Sequence, residues 1–449
     1  MRILSADHIL PITSEPLRDA AVAFDRSGIS AIGARSEVIE MFPDAEIDDL
    51  GSAAIIPGLI NCHSHLEITA MRGLLDDVEH DFPAWLLRLN DTRANRLTDE
   101  DIEVAALAGA LEGAAAGVTC FGDIGRHGQA GMEALKRVGL RGVVFQETNF
   151  SPDERTAEKD FTALSELLTL MRNEETDLVQ VGVSPHSPYT VSSGLFARIA
   201  EFAAAENMRV SIHAAESLQE DNLIRNGEGF FIGIYKKFDL EWHSPRCSPI
   251  EFLERTGIMR SAPLLAHCVC ISDDDIERIV GNNASVAHCP KSNAKFGHGW
   301  APFEIFLDRG IKVGFGSDSV ASNNVCDILE EARFAVLGAR NRAGSKRFIE
   351  AKEALETATM GGARALGLDR LVGSLEVGKK ADITVIDFNE PAQFPVNDIY
   401  AAVIHSSNAR DIRTTIVNGD EVFRDGRPVN FDTIDVLEEL EEIGGRIKI

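Results

Sequence analysis

Three shortages in the sequence narrow the range of functions. No apolar run approaches the roughly 18 residues that a membrane span needs, so we expect no membrane segment. Basic residues are scarce, because 44 Lys and Arg stand against 71 Asp and Glu, a formal net charge of −27. Nucleic acids and anionic membranes bind basic surfaces, so neither is expected as a partner. A small ligand, which responds to the local field, is compatible with this charge.

Paired cysteines are also lacking. The seven cysteines are an odd number without a C-x-x-C pair, and Cys268 and Cys270 are too close in sequence to bridge readily. The first seven residues have no long apolar segment and predict a strand rather than a signal peptide. These features favour a reduced, cytoplasmic setting.

The central part of the chain repeats a strand-then-helix pattern. Parallel strands need crossover connections, so eight repeats predict a (β/α)₈ TIM-type barrel. A doubly wound open sheet is the alternative, but no G-x-G-x-x-G follows the first run. The eight strand-like runs are Ala54–Asn61, Gly117–Gly122, Arg141–Gln146, Leu178–Ser184, Arg209–His213, Pro263–Cys268, Ala284–His288 and Ile311–Gly316.

Short alternating segments at both chain ends predict a second, smaller unit. They cannot form a domain separately, so we expect a composite β-sandwich domain built from residues 1–52 and 372–430, with the barrel at 53–371. Residues 431–449 predict an acidic helix that presents a solvated face. The strand segments are Arg2–Pro11, Ala20–Ile32, Ala381–Asp387, Ala401–His405, Arg413–Asn418 and Glu421–Arg424.

Two long connections interrupt the barrel pattern. Glu67–Leu97 contains Trp85, and Ala214–Ser261 contains four aromatic residues. Long loops after barrel strands often form lids and substrate contacts. The alternative is a pair of surface insertions with buried aromatics.

Histidines recur where the predicted strands end. His63 and His65 form an H-x-H pair, and alternate residues of an extended chain point to one face. Alone, the pair could equally be surface or core histidines. However, five of the twelve histidines fall at strand ends, on the face where barrel active sites form. Three imidazoles and a carboxylate suit Zn²⁺, with Fe²⁺ and Mn²⁺ as alternatives. The strand-end residues are His63, His65, His213, His267, His288 and Asp318.

These motifs resemble the amidohydrolase superfamily over nearly the whole chain. They are H-x-H after P-G-L-I-N, H-x-x-E, A-H-C, H-C-P-x-S-N and G-S-D-S-x-A-S-N-N. The sequence is most similar to the mononuclear aminohydrolase and chlorohydrolase branch, which includes deaminases of S-adenosylhomocysteine, methylthioadenosine, aminodeoxyfutalosine and oxidised purines. The resemblance implies that one metal is bound by His63, His65, His213 and Asp318.

The resemblance also implies roles for the other strand-end groups. Glu216 matches the proton shuttle, His267 matches the residue that orients the attacking water, and His288 matches a position that is usually not a ligand. From chemistry alone, Glu216 could instead hold His213 in its tautomer, and His267 could be a weak fifth ligand. Asp318 could simply cap the next helix.

Two further features distinguish subclasses of the superfamily. The fourth strand ends without the lysine that bridges two metals in binuclear relatives, which favours one metal. Triazine chlorohydrolases can lack the H-x-x-E glutamate, whereas this chain has Glu216, which favours deamination.

Substrate contacts are expected from Trp85 and His186, which match residues lining the pocket of nucleoside deaminases. The resemblance implies a glutamate for the ribose hydroxyls in thioadenosine-type deaminases, where this sequence has Ala94. This departure disfavours methylthioadenosine and leaves aminodeoxyfutalosine or a free base as alternatives. The expected function is therefore hydrolytic deamination of a purine-like substrate by a cytoplasmic homo-oligomer. The alternatives are a deaminase or chlorohydrolase of a non-purine heterocycle, and a binding scaffold without activity.

Overall fold

Two sheets organise the molecule. The computed structural model describes residues 1–448, with the side chain of Ser345 set aside. None of the helices in this range is long and apolar enough to cross a bilayer. In chain order, the strands are β1 (Arg2–Ile9), β2 (Leu17–Asp25), β3 (Gly28–Ala34), β4 (Glu46–Asp49), β5 (Ala53–Pro57), β6 (Leu59–Ser64), β7 (Val118–Gly125), β8 (Arg141–Glu147), β9 (Val179–Ser184), β10 (Arg209–Ala214), β11 (Leu264–His267), β12 (Ser285–His288), β13 (Lys312–Phe315), β14 (Ile383–Asp387), β15 (Ile412–Val417), β16 (Asp420–Arg424) and β17 (Arg427–Pro428).

Strands β6 to β13 form the predicted barrel. Each is parallel to the next, in the order of the sequence. The first and last strands meet where Ser64 bridges Asp318 and the Asp318 N–H donates to the His63 carbonyl at 2.9 Å. The prediction of a (β/α)₈ barrel is confirmed, because helices follow or separate the eight strands. The helices are α1 (Arg35–Met41), α2 (Phe82–Asn95), α3 (Asp99–Ala115), α4 (Gly128–Val138), α5 (Ala157–Arg172), α6 (Ser193–Ala205), α7 (Leu218–Asn226), α8 (Phe230–Lys237), α9 (Pro249–Thr256), α10 (Asp273–Gly281), α11 (Pro290–Lys295), α12 (Phe303–Asp308), α13 (Val320–Asn323), α14 (Ile328–Ala343), α15 (Ala351–Glu356), α16 (Gly362–Ala365), α17 (Ile399–Ala401) and α18 (Thr433–Ile447).

The run that we expected to be the first barrel strand is divided at Gly58. Its first half, β5, pairs with β14 in the other sheet, and only its second half, β6, enters the barrel. A Cβ atom at Gly58 would overlap the Thr119 side chain, so the chain crosses between the sheets at a residue without one. An uninterrupted apolar run did not reveal this change of sheet.

The composite sheet confirms that the two chain ends share one unit. It has nine strands, in the order β17-β16-β15-β14-β5-β1-β2-β3, with β4 beside β1. Most pairs are antiparallel, but β1 runs parallel to β4 and β5. One face buries a separate apolar cluster that includes Leu4, Val22, Ile55, Ile383 and Ile416.

One predicted strand of this region is wrong. Ala401–His405 is helical, in α17 and a following wide turn at Ala402–Ser406. The Asp398 side chain caps the start by accepting from the Ala401 N–H at 2.9 Å. The Arg333 side chain donates to the Ile404 carbonyl at 2.9 Å, satisfying a carbonyl near the helix end. These polar contacts override the β-branched content that favoured a strand.

The C-terminal helix α18 is more than the solvated face that we expected. Ile443 and Ile447 are buried and belong to the same apolar cluster as Trp85. Arg446 pairs with Asp101 of α3 at 2.6 Å. The last turns of the chain therefore pack beneath the connection that carries Trp85.

A buried ion pair joins the barrel to the composite sheet. The Arg141 guanidinium, at the start of β8, donates to both carboxylate oxygens of Asp382 at 2.8 and 3.0 Å. Both side chains are almost fully buried, with 3% and 1% exposure. Asp382 also accepts the Asn418 N–H at 2.9 Å. Breaking one half of such a pair leaves an uncompensated charge inside the protein.

We expect Arg141→Met to lower the free energy of unfolding by about 3–5 kcal/mol, because Asp382 loses its cation. The double replacement Arg141→Met with Asp382→Leu should recover part of this loss. Arg26→Met is the matched control, since its pair with Asp420 is exposed. Urea denaturation followed by circular dichroism measures the effect, and an unchanged midpoint for Arg141→Met would contradict it.

Candidate active site

The barrel brings the four expected metal ligands together. The Nε2 atoms of His65 and His213 lie 3.2 Å apart. The Oδ1 atom of Asp318 is 3.5 Å from the Nε2 atoms of both His63 and His65. His63 lies near the end of β6 and His65 directly follows it, His213 lies near the end of β10, and Asp318 follows β13. One small cation could therefore contact all four side chains.

The hydrogen bonds of the rings direct lone pairs to this point. The Nδ1 of His65 is 2.9 Å from the Ile124 carbonyl, and the Nδ1 of His213 is 3.2 Å from the His186 carbonyl. Because each Nδ1 donates its proton, each Nε2 presents a lone pair. His63 is fully buried without a hydrogen-bond partner for either nitrogen among the described residues, and burial lowers its pKa to about 4. Facing lone pairs and an orphaned imidazole fit a bound cation.

Hydrogen bonds also fix the orientation of the Asp318 carboxylate. Its Oδ2 atom accepts from the Ser292 hydroxyl at 2.6 Å and from the Ser322 hydroxyl at 2.9 Å, which leaves Oδ1 towards the histidines. Burial raises the pKa of Asp318, but the neighbouring imidazoles, above all His63, outweigh it and hold the pKa well below the usual value. The residue has φ of 57°, a left-handed conformation that costs a non-glycine residue free energy. The serines keep it in place.

His267 adjoins the cluster beside Glu216. Its Nδ1 is 2.9 Å from the Oδ1 of Asn293, so its Nε2 faces the site. Its Nε2 is 3.9 Å from the Glu216 carboxylate. One nitrogen of each of His63, His213 and His267 also falls within a single 4.8 Å group, so the geometry is compatible with either role considered for His267.

Glu216 is buried at the edge of the cluster. Its backbone N–H and that of Ala215 donate to the two carboxylate oxygens of Glu220, at 2.9 and 3.0 Å, which shapes the turn after β10. Neither carboxylate oxygen of Glu216 itself receives a hydrogen bond within the described range. Burial raises the pKa of Glu216. The group is therefore free to exchange a proton.

A cavity of about 330 Å³ opens above these groups. Trp85, on α2, and His186, after β9, both line it, as does Phe231 from α8. The two long connections therefore supply its walls. Ala94 is exposed on α2 and does not line the cavity, whereas its neighbour Arg93 does. His288 is buried against Phe303, outside the ligand groups.

An ionic group forms one wall of the cavity. Glu147 ends β8, and its Oε2 accepts from the Arg126 side chain at 3.1 Å. Burial raises its pKa, but His186, Arg126 and Arg93 outweigh burial and lower it to about 2. The Oε1 atom is 3.9 Å from the Nε2 of His186. A charged acceptor therefore lies beside an imidazole ring that lines the cavity.

Several residues of the site were missed by sequence reasoning. Asn61 donates from its side chain to the Ser317 hydroxyl at 2.7 Å and accepts the Ser317 N–H at 3.0 Å, tying β6 to the end of β13. Ser292 and Asn293 lie within the recognised H-C-P-x-S-N motif but had no role assigned. Glu147 and His298 carried no local signal, because their partners are distant in the sequence.

The comparisons with known proteins agree with this geometry. Residues 54–422 match the Amidohydrolase family. The chain is 31% identical over 448 residues to the 5-methylthioadenosine/S-adenosylhomocysteine deaminase of Desulforudis audaxviator, covering 100% of this chain and 99% of the relative. It is 32% identical over 429 residues to the protein of the same name from Pelotomaculum thermopropionicum, covering 95% and 93%.

A solved structure is similar over almost the same length. The adenosine deaminase of Xanthomonas campestris with bound zinc superposes with a TM-score of 0.87 at 25% identity, covering 99% of this chain and 98% of that one. The sequence match over most of the chain and the relative above 30% identity lead to one conclusion: this protein belongs to the amidohydrolase family.

Proposed function

We propose that this protein is a metal-dependent hydrolytic deaminase that releases ammonia from a purine-like substrate, foremost an adenosine derivative. The observation that carries the proposal is the placement of Glu216 beside the histidine and aspartate cluster, at the floor of a mostly apolar cavity. The relatives named as deaminases support the same reaction. The protein would act on C–N bonds of cyclic amidines.

One divalent cation, Zn²⁺ foremost, would be held by His63, His65, His213 and Asp318. When bound, such a cation makes water a competent nucleophile near neutral pH. The zinc in the similar structure supports this choice of ion. A second group of possible ligands, Glu147 with His186 and His213, shares His213 with the first. The Nδ1–H of His213 is already directed to the His186 carbonyl, so only its Nε2 is free to bind a cation. An imidazole nitrogen binds a single cation, so one metal is favoured.

The side chains around the cation would move protons. Glu216 would accept a proton from water and pass it to the ring nitrogen beside the reacting carbon. It would then take the remaining proton of the added hydroxyl group and deliver it to the departing amino group, which leaves as ammonia. Its raised pKa suits an acid that must both accept and donate. The Nε2 of His267, whose other nitrogen is engaged by Asn293, would orient the water.

The cavity walls would hold the substrate. Trp85 is buried between Phe82 and Phe296 and could stack on a heteroaromatic ring. His186 would contact the ring, and the ionised Glu147 beside it would accept hydrogen bonds from hydroxyl groups. This charged acceptor favours a nucleoside over a free base and offers a substitute for the glutamate missing at Ala94.

A deaminase or chlorohydrolase of a non-purine heterocycle is the second candidate, because Trp85 and the apolar wall would also hold a triazine or a pterin. A screen separates the two. The zinc-loaded protein should release ammonia from adenosine derivatives faster than from purine bases, pterins or aminotriazines. Chloride release from a chlorotriazine at a higher kcat/KM would favour the second candidate. If bound metal is verified and no substrate is turned over, both candidates are contradicted.

Glu216→Gln should lower kcat by about 10²–10⁴-fold, because the amide cannot carry the proton. The bound zinc should stay near one per chain, since Glu216 is outside the ligand set. Glu228→Gln is a control, because Glu228 is exposed on the same connection. Steady-state kinetics and metal analysis are measured together, and loss of zinc from Glu216→Gln would contradict the shuttle role.

Zinc should stabilise the protein through the same four ligands. At a thousandfold excess over its Kd, the ion should add about 4 kcal/mol to the free energy of unfolding. His63→Ala should abolish most of this gain and lower the zinc content, whereas His243→Ala, at an exposed residue, should not. Thermal unfolding with and without chelator measures the gain. Two zinc ions per chain in the wild type would contradict the single-metal proposal.

A further inference from the structure

The Glu216 carboxylate lies between two imidazoles. Its Oε1 is 3.9 Å from the Nε2 of His267 and 3.8 Å from the Nε2 of His298. Both distances exceed that of a direct hydrogen bond. A carboxyl group that carries protons in a buried site needs a fixed orientation, and no other side chain of the described residues donates to it.

His267 cannot be that donor while it is neutral. Its Nδ1–H is directed to the Oδ1 of Asn293 at 2.9 Å, so its Nε2 bears a lone pair. Two acceptors, this nitrogen and the Oε1 of Glu216, would face each other. A donor to Glu216 must come from elsewhere.

His298 has an unpaired ring nitrogen in the right place. Its side chain is 4% exposed, and its Nε2 is buried without a hydrogen-bond partner among the described residues. The ring packs edge-on against Phe82, with centroids 4.8 Å apart, and tilts against Phe296 at 5.2 Å. Burial lowers its pKa to about 4, so the ring is neutral near pH 7 and carries a single N–H.

The backbone around His298 also fixes its place. It is flanked by Gly297 and Gly299, which have φ of 67° and 111°. Side-chain-bearing residues rarely adopt these angles, so the loop needs glycine on both sides. The Gly297-His298-Gly299 loop therefore fixes the position of the imidazole, with the unpaired Nε2 towards Glu216.

Resting on the proposed deaminase function, we propose that His298 is a positioning residue that donates its Nε2–H to the Oε1 of Glu216. A movement of about 1 Å brings the two atoms to hydrogen-bond distance. The bond holds the carboxyl with Oε2 towards the substrate, where it exchanges protons. His267 keeps its lone pair for the attacking water, so the two imidazoles have complementary functions on either side of the acid.

Three substitutions at His298 test this assignment. The amide nitrogen of Gln lies near the position of Nε2, whereas that of Asn lies near Nδ1, and Phe keeps the packing without a donor. His298→Gln should retain kcat within about threefold, but His298→Asn and His298→Phe should lose about 10- to 100-fold, since small misplacements are costly. KM and zinc content should change little. If His298→Gln loses as much as His298→Phe, the hydrogen bond is not the reason.

The effect should operate through Glu216. In a Glu216→Gln background, His298→Phe should cause little further loss, because the group that it positions is already disabled. In the wild-type background, it should move the acidic limb of the kcat/KM profile to higher pH, because a carboxylate that loses a donor has a higher pKa. Additive losses, or an unmoved acidic limb, would overturn the proposal.

Nuclear magnetic resonance separates this inference from the proposed function. In zinc-loaded protein with ¹⁵N-labelled histidine, His298 should be the Nε2–H tautomer, and its resonances should shift in Glu216→Ala. This result needs no turnover, so it stands even if no substrate is found and the deaminase proposal fails. The Nδ1–H tautomer in the wild type would overturn the role of His298 while leaving the deaminase proposal intact.

Discussion

The closure of the barrel is the constraint on which the site depends. The Asp318 N–H donates to the His63 carbonyl, and the Asn61 side chain binds Ser317 through two hydrogen bonds. The first and last strands are thus joined at the segments that carry His63, His65 and Asp318, three of the four proposed ligands. Side chains alternate between faces of a strand, so a slip of one residue would turn His63 and His65 away from the axis. The register of the barrel closure therefore fixes the positions of the proposed ligands.

Polar groups behind the cluster make its buried charges tolerable. Ionised and imidazole groups out of water need partners, or their burial is costly. Ser292 and Ser322 satisfy one oxygen of Asp318, and Asn293 satisfies one nitrogen of His267. In each case the atom turned towards the cavity has no partner. The second layer of side chains therefore determines which atoms stay available for chemistry, and Glu216 differs because it lacks such a partner.

The aromatic residues around Trp85 line the cavity and also pack against the C-terminal helix. Trp85 packs with Phe82 and Phe296, and the same apolar cluster includes Ile443 and Ile447 of the C-terminal helix. His298 packs against both phenylalanines. The aromatic wall of the cavity is consequently continuous with His298 and with the C-terminal helix. The C-terminal helix α18 therefore packs against the residues that line the cavity.

Apart from the choice of metal ligands, which rested on the resemblance to a known family, the sequence by itself determined the barrel, the shared β unit and the placement of histidines and Asp318 at strand ends. These rest on local patterns: an apolar run that ends in a polar residue places that residue at a strand end, and parallel strands bring such ends together. Only the tertiary structure decided the change of sheet at Gly58, the helical form of Ala401–His405 and the neighbours of Glu147 and His298. Apart from the local Asp398 cap at Ala401, those depend on partners far away in the chain, and no local pattern encodes a distance between side chains that meet only after folding.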